Sequence, residues 1–592
     1  MRMKGKHLVQ IRFIVFFLST LSFIFIGMIA AYAANGNDRP NGLAFNDLKI
    51  TNNINYSYDA SFGSYLAGRF AKNSFDFGAA ANFLTKHQEA SANDKFVQRQ
   101  IIFSLLASGN MYAAKRLIEK EIKSDKTSSV VPLAFFVSAT KGKRFDIALK
   151  RLAFMPDDGI NKLIVPLFRA WLFVGMEKYQ KAIEALSSIS DINEFNSLRN
   201  YHTALIRDLA GDPNEAELAF LDALRSMSSA RTLEAYGKFL IRAERFEEAH
   251  ELFIRYGRNN GIVSSDKASS IAKLSSRARP DRLIGTVLDG VAEVLLNISN
   301  LFNQNRAASL ALIYSQLALW IKPSFPAAKL FVGEIYDGME RKEDALRFFT
   351  SVEKNSSYYW TAQLRRSTIL NNLKRSEEAV ALLRRMAKEK PERTDALIYL
   401  GDILRGSKEY LLASAVYSQA INRIKNARVN DWSLYYSRGI TFERAKQWDN
   451  AEKDFLKALK LQPNQPLVLN YLGYSWVDQG RNLARAKKMI EEAAKRRPND
   501  GYIVDSLGWA LYRMGKFRSA TFYLERAVTL RPEDPTINDH LGDAYWRVGR
   551  LREAGFQWRR VLTLKPDIEQ RELIKAKLRR GLQKALKPRN ER

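Results

Sequence analysis

The chain of 592 residues contains no cysteine and only five histidines. The lack of cysteine excludes disulfides, thiolate zinc sites and a lipid-modified N-terminal cysteine. No histidine lies four residues from another, so no helix offers the histidine pair of a zinc protease. The sequence also lacks a Gly-x-Ser-x-Gly elbow, a phosphate-binding loop and a dinucleotide fingerprint. These absences predict a protein that is not an enzyme and that binds neither a metal nor a cofactor.

The dominant feature that the sequence does have is a repeat with a period of 34 residues. A small residue marks most units, and in most of them an alanine follows it twelve residues later. A period of this length is typical of stacked helix pairs, and the marks indicate about fourteen units. In the last two complete units, the marks are Gly508 and Gly542, Ala520 and Ala554, and Pro532 and Pro566.

The physical role of each mark follows from a unit of two antiparallel helices, A and B. The small residues let the two helices approach closely, because a larger side chain there would overpack the seam. The proline ends helix B. This is the pattern of the tetratricopeptide repeat, and the chain resembles that family over about 500 residues. The resemblance implies an all-α, right-handed superhelical solenoid of antiparallel helix pairs that binds other proteins.

The N-terminus has the layout of a secretory signal peptide. Four basic residues precede an uncharged apolar run over 13–31, and small residues at 31 and 33 then suit a signal peptidase. We therefore expect cleavage after Ala33 and a periplasmic protein. The apolar run of 19 residues is also long enough to span a bilayer, so an inner-membrane anchor with the repeats facing the periplasm is the alternative.

The formal charge of +30 is unevenly distributed. Residues 351–592 contain 48 Lys and Arg against 28 Asp and Glu, and the last 42 residues alone carry a net charge of +8. A basic surface attracts anionic partners. Because export separates the chain from nucleic acid, we expect one or more envelope proteins as partners, and an anionic glycan or lipid surface as a partner of the basic half. The sequence leaves the oligomeric state open.

Shifts in composition and repeat regularity divide the chain. An asparagine-rich lead follows the signal peptide, and a Gly-, Ser- and Arg-rich stretch interrupts the repeats and is either a linker or a degenerate repeat. A leucine stripe with basic residues around it predicts a helix that caps the last repeat. The predicted segments are 1–33 (signal peptide), 34–60 (flexible lead), 61–256 (N-terminal array), 257–283 (linker or degenerate repeat), 284–566 (C-terminal array) and 567–592 (basic capping helix).

In the tetratricopeptide family, positions 2, 5, 9, 12 and 13 of helix A line the inner, concave face. In the last four units these positions are rich in Tyr, Trp and Arg, the residue types enriched at binding hot spots. The Lys and Asn clamp of chaperone-binding members is missing from positions 5 and 9, so a mixed groove for a peptide, a helix or a sugar chain is expected. The candidate partner-binding residues are Tyr436, Arg444, Asn470, Tyr474, Tyr502, Asp505, Trp509, Tyr512, Arg513, Asp539, Asp543, Trp546 and Arg547.

Residues 465–566 further resemble the C-terminal repeats of exported bacterial tetratricopeptide proteins, on the segments 470–474, 505–512 and 538–546. Some of those proteins are envelope lipoproteins that act as adaptors for carboxy-terminal-processing proteases and so influence cell-wall hydrolysis. This chain departs from them in lacking the lipidated cysteine. The resemblance implies a non-enzymatic periplasmic scaffold or adaptor, and a component of envelope polysaccharide assembly or export is the alternative.

Overall fold

The computed structural model describes residues 56–90, 94–121, 130–156, 159–189, 195–226, 229–259 and 280–585. Contacts divide the chain into the units Met1–Ala60 and Ser61–Arg592. In the first unit the described residues are 56–60, which are helical. The predicted signal peptide or anchor, the cleavage site and nearly all of the predicted lead lie outside the described residues.

The second unit is built from helices, with no strand among its described residues. The helices form consecutive A and B pairs, fourteen in the part that the structure describes, which confirms the predicted all-α class and helix pairing. The N-terminal pairs are α1 Tyr56–Asn73 and α2 Phe77–Ala90, α3 Lys95–Ala107 and α4 Met111–Glu121, α5 Val130–Lys141 and α6 Phe145–Leu152, α7 Asn161–Gly175 and α8 Tyr179–Ser187, α9 Asn196–Ala210 and α10 Pro213–Ser226, and α11 Ala230–Arg242 and α12 Phe246–Asn259.

Eight further pairs and two short closing helices follow residue 280. A 3-10 turn, Val429–Asp431, precedes the fifth of these pairs. The pairs are α13 Val287–Gln304 and α14 Ala308–Ile321, α15 Pro326–Gly338 and α16 Lys342–Thr350, α17 Tyr359–Asn372 and α18 Ser376–Glu389, α19 Asp395–Gly406 and α20 Tyr410–Asn422, α21 Trp432–Arg444 and α22 Trp448–Leu461, α23 Pro466–Asp478 and α24 Leu483–Arg496, α25 Gly501–Arg513 and α26 Phe517–Leu530, α27 Pro535–Arg547 and α28 Leu551–Thr563, followed by α29 Ile568–Arg580 and α30 Leu582–Ala585.

A left-handed residue recurs in the turn between helix A and helix B in all fourteen pairs of the described chain. The turn between α23 and α24 has a second one, Asn482 with φ of 49°, and the fourteen recurring residues have φ between 56° and 85°. Five of these residues are glycines, and the other nine carry a side chain in a conformation that costs about 1–2 kcal/mol. The sequence pattern missed this mark because most of the units lack the glycine that would reveal it. Examples of the two kinds are Gly515 and Lys374.

The seam inside each pair has the close packing that the small residues predict. A Cβ added to Gly333 would lie 2.5 Å from the ring of Phe349, and one added to Gly401 would lie 2.5 Å from the ring of Tyr417. The alanine twelve residues after the small residue is also buried, as at Ala345. The glycine therefore makes room for the large side chain that stands sixteen residues later in helix B.

The pair α13–α14 departs from simple stacking, because it packs against α3, α5 and α7 of the N-terminal array as well as against α15. The second of these helices, α14, is apolar on all sides, which is typical of a buried helix, whereas α13 carries Asp289, Glu293 and Asn297 among its apolar residues. One continuous hydrophobic core runs from Phe77 to Ile369 and includes both of them. A salt bridge of 2.9 Å between Arg341 and Asp76 joins the same two parts of the chain.

A buried carboxylate connects α13 to the N-terminal array. Glu293 is fully buried, and its Oε1 accepts hydrogen bonds from Arg231 Nε at 2.9 Å and from the Tyr201 hydroxyl at 3.0 Å. Arg231 also forms a salt bridge with the second oxygen of Glu293. One turn earlier, Gly290 lies against the indole of Trp171, since a Cβ on this glycine would lie 2.2 Å from the ring. The packing of α13 on the N-terminal array therefore requires both the ion pair between Glu293 and Arg231 and the absence of a side chain at Gly290.

The predicted division at 257–283 stays a prediction, because residues 260–279 lie outside the described part of the chain. The predicted capping helix corresponds to α29 and α30. Ile574 and Leu582 of the leucine stripe are buried, and Leu578 packs against the same core. Leu586, the last residue of the stripe, is outside the described residues.

A glycine-to-alanine comparison tests the packing of α13. We expect Gly290→Ala to lower the free energy of unfolding by about 1–3 kcal/mol, because the new methyl group overlaps Trp171. Gly338→Ala is the matched control, since it is also a helical glycine but has no neighbouring atom within 4 Å. Alanine there should raise the stability by about 0.5–1 kcal/mol. Urea unfolding followed by tryptophan fluorescence measures both, and equal effects would contradict the described contact.

Candidate binding surface

The inner face of the N-terminal array is already occupied by helices of the same chain. Counted from the repeat marks, Arg231, Tyr201, Trp171 and Lys141 stand at positions 2, 5, 9 and 13 of their helices A. The first two bind Glu293, Trp171 abuts Gly290, and the ammonium group of Lys141 donates to the backbone carbonyl of Trp320. The positions that line a binding groove in the family thus hold α13 and α14 here.

A buried tryptophan–histidine pair supports this internal interface. The indole Nε1 of Trp171 donates to Nδ1 of His202 at 3.1 Å. Burial lowers the pKa of His202 to about 4, so the ring is neutral and accepts this hydrogen bond at ordinary pH. His202 is thus a structural residue of the N-terminal array.

In the C-terminal array, the first two candidate residues differ in their surroundings. The ring of Tyr436 is half-buried, 5.9 Å from Tyr471 and 6.0 Å from Phe455. Burial raises the pKa of its hydroxyl to about 12. Arg444 is exposed and lies 3.5 Å from Glu443. Tyr436 therefore packs between repeats, while Arg444 remains available at the surface.

Two buried polar atoms of the candidate surface have no hydrogen-bond partner among the described residues. They are the amide oxygen of Asn470 and the indole nitrogen of Trp509. Tyr474, on the same helix as Asn470, is half-buried. Its pKa is raised to about 12 by burial and by the nearby carboxylates of Asp505 and Asp478. Other buried polar atoms of the described chain are also unpaired, but these two stand at inner positions of their helices, where a partner could supply hydrogen bonds.

Trp509 is the middle ring of an aromatic stack. Its ring lies 4.7 Å from that of Tyr512 and 4.0 Å from that of His540, and all three rings are nearly parallel. His540 is buried, and its Nδ1 lies 3.0 Å from Asp505 Oδ1. The stack therefore joins α25 to α27, with Asp505 holding the histidine ring in place.

The last repeat is covered by the C-terminal helix α29. Lys577, which is buried, donates to Asp539 Oδ1 and to Asp543 Oδ1, both at 2.7 Å. Trp546 packs 5.5 Å from Trp558, and a Cβ on Gly581 would lie 2.6 Å from its ring. Three candidate residues of α27 thus contact the chain's own cap, and the sequence analysis had placed them on an open groove.

The remaining candidates lie at the rim. Tyr502 is 52% exposed, with the guanidinium of Arg531 at 5.3 Å from its ring. Arg513 donates to the backbone carbonyl of Asp478 at 3.2 Å and keeps an exposed side chain. Arg547 lies 3.9 Å from the ring of Phe517. The open part of the candidate surface is therefore centred on α23 and α25.

The sequence analysis missed His540 and Lys577, both of which shape this surface. His540 stands one residue after Asp539, at position 6 of its helix A, and position 6 is not among those that line the concave face in the family. Lys577 stands 34 residues after Asp543, at the equivalent position of an incomplete next unit. Extending the repeat frame past Pro566 would have revealed this lysine facing the two aspartates.

Comparison with known proteins identifies the repeats. Family models described as "Tetratricopeptide repeat" match residues 433–465 and 506–567. The chain contains tetratricopeptide repeats. Proteins with these repeats are generally non-catalytic scaffolds that bind peptides or proteins.

Curated relatives match short parts of the chain. The TPR repeat-containing protein PA4667 of Pseudomonas aeruginosa is 28% identical over 207 residues, which are 33% of each chain. The general transcriptional corepressor ssn6 of Schizosaccharomyces pombe is 24% identical over 133 residues, which are 22% of this chain and 12% of the corepressor. The match therefore spans a third or less of the length of these relatives.

Solved structures of other repeat proteins are similar at low identity. The Cut9–Hcn1 hetero-tetramer of the APC/C aligns with 90% of this chain and 98% of that chain, at 15% identity and a TM-score of 0.36. YrrB, described as a TPR protein with an unusual peptide-binding site, aligns with 33% of this chain and 97% of its own, at 19% identity and a TM-score of 0.26.

None of the described helices combines the length and the apolar character needed to cross a bilayer. No group of three acidic or histidine side chains among the described residues could hold a metal ion. That the chain uses no cofactor stays a prediction.

The His540 environment predicts a pH-dependent stability of the last repeats. Burial lowers the pKa of this histidine, but the charges of Asp505, Asp539 and Asp543 outweigh burial, and the pKa is raised above its usual 6.5. A raised pKa in the fold means that the stabilising contribution is complete below pH 6.5 and is lost as the pH rises through the raised value.

We therefore expect the melting temperature to fall as the pH rises from 6.5 through the raised pKa of His540, and the fall to be smaller in His540→Gln. Differential scanning calorimetry across this range measures both proteins. His250→Gln, which changes an exposed histidine of α12, is the control and should retain the wild-type profile. An equal pH profile in His540→Gln and wild type would show that Asp505 does not hold a charged histidine.

Proposed function

We propose that the chain is a non-enzymatic scaffold or adaptor of the bacterial cell envelope, whose inner face at α23 and α25 holds a segment of a partner protein. The observation that carries this proposal is the pair of unsatisfied buried atoms, Asn470 Oδ1 and Trp509 Nε1, on the inner positions of these helices. Leaving a buried polar group unpaired costs about 1–3 kcal/mol, which a bound partner would recover.

The N-terminal array supports the same mode of binding. At its inner positions, a tyrosine and an arginine bind one carboxylate of α13, and a tryptophan packs on a glycine of the same helix. The surface at α23 and α25 offers comparable side chains in Tyr474, Trp509 and Arg513. A helix or extended peptide with an apolar face and an acidic group would fit it, because Arg513 is exposed and the aromatic side chains of Tyr474 and Trp509 are only half-buried.

The proposed location is the periplasm, after cleavage behind Ala33. The support is the basic, apolar and small-residue order of the first 33 residues. The proposed partner is accordingly an envelope protein, and the resemblance of residues 465–566 to exported adaptor repeats suggests a cell-wall protease or hydrolase.

Export is tested by sequencing the N-terminus of the chain isolated from a Gram-negative host. We expect a mature chain that begins at Ala34 in the periplasmic fraction. A variant with Ala31→Leu and Ala33→Leu removes the small residues that the peptidase reads, so it should keep residues 1–33 and stay with the inner membrane. An uncleaved wild-type chain at the inner membrane supports the anchor alternative, and an uncleaved chain in the cytoplasm contradicts export.

Partner binding is tested by in-cell crosslinking, affinity capture and mass spectrometry. Combining Tyr474→Ala, Trp509→Leu and Arg513→Ala should reduce capture of the main partner at least tenfold, because these changes remove the aromatic and charged contacts of the open surface. Trp546 is left intact because it packs under the cap. Leu218→Ala, an exposed residue of α10, is the control.

The melting temperature of each variant shows whether the repeats remain folded. Capture that is unchanged in the folded triple variant contradicts the proposed surface. A dominant protease or cell-wall hydrolase among the captured proteins supports the adaptor role. Capture of polysaccharide machinery instead favours the alternative function in polysaccharide assembly or export.

A further inference from the structure

Two consecutive helices B carry the same exposed pattern of an arginine, a phenylalanine and a second arginine, each four residues apart. Residues four apart lie on the same face of a helix. The second set stands 34 residues after the first, so both occupy the same register in neighbouring repeats. This Arg–Phe stripe consists of Arg518, Phe522 and Arg526 on α26 and of Arg552, Phe556 and Arg560 on α28.

The two phenylalanines of the stripe are not needed by the repeat fold. Phe522 is 65% exposed and Phe556 is 64% exposed. The equivalent position in the two preceding repeats is Lys488 and Lys453, so a polar residue is tolerated there. Large apolar side chains that remain in water in a regular pattern indicate an interaction surface.

The arginines of the stripe have no acidic partner among the described residues. Arg526 donates to the carbonyl of Pro498 at 2.7 Å, and Arg560 donates to the carbonyl of Pro532 at 3.0 Å. Arg518 and Arg552 are exposed at the starts of their helices. Arg559 adds a further positive charge, 5.0 Å from the ring of Phe556.

The acidic residues beside the stripe are engaged elsewhere. Glu525 accepts from Arg550 at 2.8 Å and from the Tyr545 hydroxyl at 2.8 Å. Glu553 accepts from Arg550 at 3.0 Å. One arginine at the turn between α27 and α28 thus pairs with both glutamates, and no arginine of the stripe forms a salt bridge with a described acidic residue.

We propose that the Arg–Phe stripe docks the chain on an anionic phospholipid bilayer. Guanidinium groups bind phosphate oxygens in pairs, and aromatic rings settle at the boundary between headgroups and acyl chains. A lipid bilayer is fluid and can accommodate the rings of Phe522 and Phe556 separately, whereas a protein partner would need two preformed pockets at the spacing of the repeats. The stripe thus gives the basic C-terminal half of the proposed scaffold a membrane surface as a second partner.

The test is co-sedimentation of a chain that begins at residue 34, which keeps the compact unit Ser61–Arg592 and omits the apolar run of the leader. Vesicles of phosphatidylcholine alone are compared with vesicles that contain phosphatidylglycerol. We expect at least tenfold stronger binding to the anionic vesicles. The double variants Phe522→Ser with Phe556→Ser and Arg518→Ala with Arg552→Ala should each lose at least tenfold of this binding.

A matched control is Phe154→Ser in the N-terminal array, because Phe154 is 60% exposed and also lies near an arginine, Arg151. This variant should bind like wild type. An equal loss in the control and in the stripe variants overturns the proposal. So does binding that depends on the arginines but not on the phenylalanines, because it would indicate general charge attraction without docking of the rings.

A fluorescence measurement separates docking from a loss of folding. Since the chain has no cysteine, Thr529→Cys places a single environment-sensitive label one turn beyond Arg526, and Ser187→Cys labels the far array. We expect a blue shift on anionic vesicles from the label at 529 and none from the label at 187. Equal responses from both labels contradict docking through the stripe. Groove variants should leave this signal unchanged, so failure of the scaffold proposal and failure of this one are distinguishable.

Discussion

The organisation of the whole chain depends on one buried carboxylate. Glu293 has no contact with water, and a buried charge is tolerated only when it is paired and hydrogen-bonded. Its partners, Arg231 and Tyr201, come from two different repeats and lie more than sixty residues away in sequence. Any other placement of α13 would leave the buried carboxylate without these two partners. The network therefore specifies one register between the N-terminal array and the helix pair that follows it.

The position of α13 and α14 covers part of the inner face that a solenoid usually leaves open for binding. In most repeat proteins each unit contacts its neighbours, and the inner face stays open along the full length. Here α13 and α14 lie against α3, α5 and α7, so the inner face of the early repeats is part of a hydrophobic core. The inner face at α23 and α25 retains half-buried aromatic rings and unsatisfied polar atoms. We therefore propose that binding of a partner is concentrated in the later repeats.

Contacts between helices that are neighbours in sequence could be predicted, whereas contacts between distant repeats could not. Contacts between neighbouring helices recur every 34 residues, so Gly333 and Ala345 reveal them. The contact of Gly290 with Trp171 occurs once and leaves no period. The all-round apolar character of α14 indicates burial but does not name the surface that covers it. At the candidate site, the family phase located Trp509, whereas the pairing of Lys577 with two aspartates depended on an incomplete unit that the repeat marks do not reach.

The two proposed surfaces lie on different helices of the same repeats. Trp509 and Arg513 are on helix A of their repeat, and Phe522 is on helix B of that repeat. Helix A supplies the inner face and helix B the outer face of a tetratricopeptide repeat. A chain held on a bilayer through its helices B would therefore turn its inner face away from the lipid. Membrane docking and partner binding are then compatible, since neither surface needs residues of the other, and the partner would be held at a fixed distance from the membrane.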